Sequence, residues 1–327
     1  MTYTSGSLIE ATDYNGFVST NAANVNAIWS TGSGNYGWGE TALSTVSATS
    51  TISATEWATL VNRLSTMGSQ TGVTITSRTA PVAGNTVSIL ANVNTDITNI
   101  FNSRGNASAI GTQFTAWTGT SSKTGTTAQG VNIVFSHTVT FASANAARYF
   151  FNAGGLVKMQ YGKSSTGALG DAEWNDLAST LAGAVWIAGG ATGGGNATIA
   201  GTVYSGTTVI GGTGTPAVPS GSKYGTTGWF QLTTSNQTVY QQYADTAPYT
   251  NNYIQVQAKT GNTGTTLDLT TTWFNSSAQY DAMSGGTAAS GTTLGTAPAT
   301  VVTYYPPSAT YLTTAAWGTP SVAASVA

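Results

Sequence analysis

The chain has 327 residues, 40% of them hydrophobic and only 6% Asp, Glu, Lys or Arg, with a formal net charge of −2. The apolar content, which includes 9 Trp, 15 Tyr and 9 Phe, excludes wholesale disorder, and the length suits about two or three domains. With Lys and Arg together numbering 9 and scattered, no phosphate-tracking stripe exists, so nucleic-acid binding is excluded.

An ordinary soluble domain is about 25% charged. Here Thr, Ser, Asn, Gln and Gly must cover the surface. Such a surface supplies little charge repulsion between copies. Few ions need desolvation when it is buried. The composition therefore predicts a surface largely covered by neighbouring subunits; the competing reading is a monomer with a neutral surface. There is no cysteine, hence no disulfide, thiolate zinc site or Cys nucleophile. Met1 to Glu10 has no basic region followed by an apolar stretch, so no signal peptide is expected. No run approaches about 18 apolar residues, so no membrane insertion is expected.

The chain reads as helical to about residue 117. Asp13 is placed to cap a first helix carrying Phe17, Val18, Val25, Ile28 and Trp29, which stops at the glycine-rich turn 32–39. Ser53-Ala54-Thr55-Glu56 is a capping box, and Trp57, Leu60, Val61, Leu64 and Met67 then form one apolar face. A third helical pattern carries Ile89, Leu90, Val93, Ile97, Ile100 and Phe101.

From about residue 130 the period changes to two, with Val131, Ile133 and Phe135, then Val139 and Phe141. The run 148–155 is read as leading through a Gly-Gly turn into a strand over 156–161. A short helix covers 171–178, with acids in its first turn. Strand-like runs recur over 198–210, 228–233, 237–243, 253–259 and 265–274. Val301 to Tyr305 reads as a last edge strand stopped by Pro306 and Pro307. Residues 319–327 are expected to be disordered alone, or to lie along a neighbour as an added strand.

Candidate chemistry is sparse. The one histidine, His137, lies in a strand-like run with no acid nearby in sequence, and a structural role is expected. Asp171, Glu173 and Asp176 are the acidic cluster; Glu173 and Asp176 share a helix face. Such carboxylates can hydrolyse glycosides or hold a hard cation, but helix-start acids explain them more simply. The stretch 189–195 lacks the Lys of a phosphate loop. Trp229, Phe230, Tyr240, Tyr243, Tyr249 and Tyr253 could build a sugar-stacking surface, although aromatic residues on strands more often pack a core. Trp229 and Tyr253 are the candidate glycan-stacking residues. No catalytic, cofactor-binding or metal-binding residue is assigned.

Two stretches carry a resemblance. The first comprises Tyr14-Asn15, Val25-Asn26-Ala27-Ile28-Trp29, the turn from Gly32-Ser33-Gly34 to Tyr36-Gly37-Trp38-Gly39, Ile52-Ser53-Ala54 and Trp57-Ala58-Thr59-Leu60. The second comprises Phe141-Ala142-Ser143, the run from Ala147 to Gly155, and Glu173-Trp174. Over residues 10–185 the chain resembles virion structural proteins of cyanophages and other marine tailed bacteriophages. Ser69-Gln70-Thr71-Gly72 stands where a common relative carries a His-Gln-Gly run, so any role of that histidine is absent. The resemblance implies no catalytic residue.

The expected fold is α+β, mainly β. A helical docking domain (1–120) precedes an antiparallel, sandwich-like β-rich domain with one short helix (121–285) and a Gly/Ala/Thr/Pro-rich C-terminal strand or arm (286–327). The expected function is a non-enzymatic bacteriophage virion structural subunit, a tail- or neck-associated fibre or appendage component. The alternatives are a capsid decoration protein and a carbohydrate-binding host-receptor adhesin. Expected partners are copies of itself and other virion proteins, with host surface glycan under the adhesin reading. The expected location is the virion, assembled in the host cytoplasm. No cofactor is expected.

Overall fold

A computed structural model describes residues 10–19, 24–32, 36–48, 50–83, 92–104, 118–122, 132–163, 169–189, 197–199, 202–204, 207–210, 223–224, 228–247, 249–275 and 298–327. The chain is α+β, 33% helix and 27% strand, with N-terminal helices followed by two antiparallel sheets. It divides into two compact units. One takes in residues 1–113, 148–155 and 306–318; the other takes in 114–147, 156–305 and 319–327.

The first unit contains α1 (Ala11–Val18), α2 (Val25–Trp29), α3 (Ala54–Thr71) and α4 (Val93–Ser103). The expected first helix is thus two helices. Asp13 is not its cap: Glu10 is, and Asp13 occupies the third helical position, where it accepts the Glu10 N–H at 2.9 Å. That placement answers an otherwise unpaired donor at the helix start. The capping box on α3 is present, with Glu56 accepting the Ser53 N–H at 2.6 Å, and Gly72 ends the helix at φ 71°. The apolar face of α3 is buried, and Trp57 meets the Tyr14 ring edge-on at 5.4 Å. On α4, Val93, Ile97 and Ile100 are buried, and Asp96 pairs with Arg78 at 2.6 Å. Ile89 and Leu90 of the third pattern lie outside the described residues.

Two asparagines hold the 36–48 segment to the helices. The Asn26 amide donates to Leu43 O (2.8 Å), and its oxygen accepts Leu43 N–H (2.9 Å). Asn15 does the same with Val46, at 2.7 and 2.8 Å. The Gly-Trp-Gly turn follows from crowding. A Cβ on Gly37 would lie 2.3 Å from Ser30 O, and Gly39 adopts φ +85° with the Tyr149 ring 2.4 Å from where its Cβ would be. Trp38 is fully buried and donates its indole N–H to Asn152 O at 3.2 Å.

The second unit begins with β1 (Thr118–Ser122), β2 (Ile133–Thr140), α5 (Ala144–Asn152), β3 (Leu156–Gly162) and α6 (Leu169–Asp176), which runs into a π-helical turn, Leu177–Ala182. The last residues of α5 belong to the first unit. The run 148–152, to which the sequence pattern assigns no element of its own, is helix: Ala147, Phe150 and Phe151 recur at helical spacing and are buried, and the expected strand after the Gly-Gly turn is β3. There follow β4 (Ala184–Ile187), β5 (Ala197–Ile199), β6 (Thr202–Tyr204), β7 (Thr207–Ile210), β8 (Lys223–Tyr224), β9 (Gln237–Tyr243), β10 (Tyr253–Thr260), β11 (Thr266–Phe274), β12 (Ala299–Tyr305) and β13 (Ser321–Val326). The expected strand at 228–233 is instead a 3-10 turn, Trp229–Gln231, anchored by the Trp229 N–H on Ala188 O at 3.0 Å.

One sheet has five strands in the order β1-β12-β3-β4-β7; another has six, β13-β2-β11-β10-β9-β8; β5 and β6 pair by themselves. All pairings are antiparallel except β4 with β7. The alternation read from the sequence at Ile133, Phe135 and Val139 is the alternation of burial on β2, Val131 lying outside the described residues. On the strand-like runs downstream, Ile254, Val256 and Ala258 on β10 and Leu267, Leu269 and Trp273 on β11 face inward in the same way. Trp273 joins the two larger sheets. It lies 6.5 Å from the Tyr161 ring of β3, donates to Thr300 Oγ1 of β12 at 3.3 Å, and stacks on Trp174 of α6 at 5.8 Å. Residues 321–326, expected to be disordered or to pair with a neighbour, form β13 against β2 of the same chain. Their small and β-branched side chains suit an edge strand even though they bury little.

Candidate functional site

The alternation that buries one face of the six-stranded sheet fixes what the other face carries. Register aligns Gln255 with Gln241 and Thr272, and Thr270 with Ser136. Asp268 lies beside Lys259 on one side and Thr138 on the other, and the Thr138 hydroxyl donates to it at 2.8 Å. Among these residues Asp268 and Lys259 are the charged pair, and the rest offer hydroxyls and amides.

At one end of this face the polar rows give way to an aromatic row. Register places Tyr253 between Tyr243 and Phe274. The Tyr253 and Phe274 rings stack at 4.5 Å and 11°, and Tyr243 meets Tyr253 edge-on at 5.3 Å. All three are half-buried, and Gln241 Nε2 donates to the Tyr243 hydroxyl at 3.1 Å. Burial raises the Tyr253 phenol above its ordinary pKa, with the neighbouring Tyr243 adding to the effect, so Tyr253 remains a neutral donor and acceptor.

The two candidate stacking residues have different fates. Tyr253 sits in the half-open row, whereas Trp229 is buried, packed 6.0 Å from Phe141, and presents no free ring face. Tyr243 was among the aromatic residues singled out in the sequence; Phe274 was not. Its signal is present, because Phe274 falls on the same alternate positions of β11 as Thr272 and Thr270. Tyr240 and Tyr249 are buried. His137 is buried in β2 at 1% exposure.

The fold also enlarges the acidic cluster. Glu173 and Asp176 share a face of α6, and Asp245, just after β9, comes to them from outside the helix. One carboxylate oxygen from each lies within 4.8 Å of the others. The side chain of Asp171 lies outside the described residues. Burial raises the Glu173 carboxyl pKa; hydrogen bonds from the Thr246 hydroxyl and backbone oppose this, and the Asp245 and Asp176 charges add to it.

Compared with known proteins, the chain matches no family model, no curated protein and no solved structure. No helix among the described residues is long and apolar enough to cross a membrane.

Proposed function

We infer that the chain is a non-enzymatic structural subunit of a bacteriophage virion, a fibre or appendage component of the tail or neck, assembled in the host cytoplasm. The observation that carries this reading is the nearly neutral outer face of the six-stranded sheet. Hydroxyl and amide side chains there can exchange water for a neighbour's hydrogen bonds without stripping ions. A chain that is only 6% charged extends that property to its whole surface. The partners are then copies of itself and other virion proteins. The resemblance of residues 10–185 to phage virion proteins supplies the kind of particle. The helical N-terminal region is the part assigned to docking.

The test is cryo-electron microscopy of native particles, with mass spectrometry of the same preparation. Density for the chain at a fixed, symmetric position on a tail or neck supports the reading. The same density over the capsid lattice favours a decoration protein. Recovery of the chain only as a free monomer in the lysate overturns both. Deleting residues 1–120 abolishes incorporation if that region docks.

A second reading, a host-receptor adhesin, is favoured by the Tyr243–Tyr253–Phe274 row, which is half-exposed and flanked by Gln241 and Gln255. Aromatic faces beside amides are the groups that hold a sugar ring. Glycan-dependent binding to host cells that is lost in Tyr253→Ala distinguishes this reading.

A further inference from the structure

The geometry points to a calcium-binding site formed by Glu173, Asp176 and Asp245, which ties α6 to the connection between β9 and β10. Three observations converge. The ligand oxygens lie within 4.8 Å of one another. Three carboxylate oxygens that close can share one hard cation, and calcium, bonded at about 2.3–2.6 Å in flexible geometry, accepts an irregular ligand set more readily than magnesium, which demands near-ideal octahedral geometry at about 2.1 Å.

The second observation is a deficit of donors. Glu173 Oε1 is sealed from solvent and accepts no hydrogen bond among the described residues. The donors that reach the Glu173 carboxylate are the Thr246 backbone N–H and the Thr246 hydroxyl, whose one hydrogen also goes to Asp245 Oδ1 at 3.1 Å, so two donors serve two carboxylates. The charges acting on Glu173 are those of Asp245 and Asp176, both negative. A sealed carboxylate oxygen beside two like charges is costly unless a cation joins them.

The third observation comes from a residue outside the cluster. Tyr249, in the same β9–β10 connection, is 4% exposed, and its buried hydroxyl has no hydrogen-bond partner among the described residues. It is close enough to Glu173 for the carboxylate charge to act on it. Buried hydroxyls are nearly always paired. A water in the coordination shell of a calcium ion gives this one a partner. Asp245 is exposed, which leaves the remaining coordination positions to solvent.

The experiment uses the full chain, freed of metal by chelation, titrated with CaCl2 by isothermal calorimetry and followed by thermal melting. The expected result is one site, with a Kd in the range of about 10⁻⁵–10⁻³ M, and a rise in Tm with calcium. Magnesium binds at least about tenfold more weakly. Glu173→Gln and Asp245→Asn each weaken calcium binding at least about tenfold, while the metal-free Tm stays equal or rises because a like charge has been removed. Asp245 is exposed, so its variant remains informative even if Glu173→Gln fails to fold. Absence of both heat and Tm shift at millimolar calcium overturns the proposal, as does unchanged binding in Asp245→Asn. The outcome is independent of whether the chain belongs to a virion.

Discussion

Asn26 and Leu43 are joined by two hydrogen bonds, the amide of one answering both backbone groups of the other at 2.8 and 2.9 Å. A buried side chain here does the work of a neighbouring strand, for a segment that has none. Asn26→Ala leaves the Leu43 N–H and C=O without these partners and is expected to cost about 2–4 kcal/mol in urea unfolding. Asn26→Asp keeps the acceptor but loses the donor, and should still cost over about 1 kcal/mol at pH 7.

Gly39 and Gly318 separate two reasons for a glycine. Both have positive φ, +85° and +67°, but only Gly39 faces a ring, with Tyr149 2.4 Å from its absent Cβ, while no described residue lies within 4 Å at Gly318. Gly318→Ala should cost only the conformational penalty, about 1–2 kcal/mol. Gly39→Ala adds a steric penalty and is expected to lower stability by at least about 1 kcal/mol more, measured as the difference in denaturation midpoint at equal m-value.

Lys163 is 6% exposed, and burial lowers its pKa from 10.5 to about 8. A cation with a depressed pKa binds fewer protons folded than unfolded, so its contribution to stability increases as pH rises from about 8 toward 10.5. Below about 8 its charging cost is fully present. Lys163→Met should therefore be more stable than the parent at pH 7, by about 1–2 kcal/mol after allowance for solvent screening. The advantage should shrink as both proteins are measured toward pH 10.

The edge at β13 makes a further prediction. Ala327 exchanges backbone hydrogen bonds with Val134 at 2.9 and 3.0 Å, so the pairing runs to the last residue. Deleting residues 319–327 bares the β2 backbone, a template for strands of other copies. The shortened chain is expected to self-associate more than the parent by light scattering at equal concentration, with a modest loss of Tm.

Much of the architecture was legible where local chemistry and tertiary demand agree. The Ser53–Glu56 box and the apolar face after it are complete in sequence. The strand-like runs at 253–259 and 265–274 are likewise β10 and β11, because one face of each is buried along its length. The helix over 148–152 was not assigned from sequence, because Tyr-Phe-Phe favours a strand by propensity, while burial of Ala147, Phe150 and Phe151 selects a helix. Trp229 could not be told from an exposed ring until Phe141 was found against it. Phe274 was readable from alternation alone. Asp245 was not, since it is 69 residues from Asp176 and only the β9–β10 turn brings it to α6.

The stack of Trp174 on Trp273 has an optical consequence. Two indoles 5.8 Å apart and 20° from parallel, one on α6 and one on β11, couple their transitions. They should produce a split signal in the ultraviolet circular dichroism near the indole band. That signal exists only while helix and sheet are seated together, so loosening of the sandwich can be followed by light before any strand unfolds.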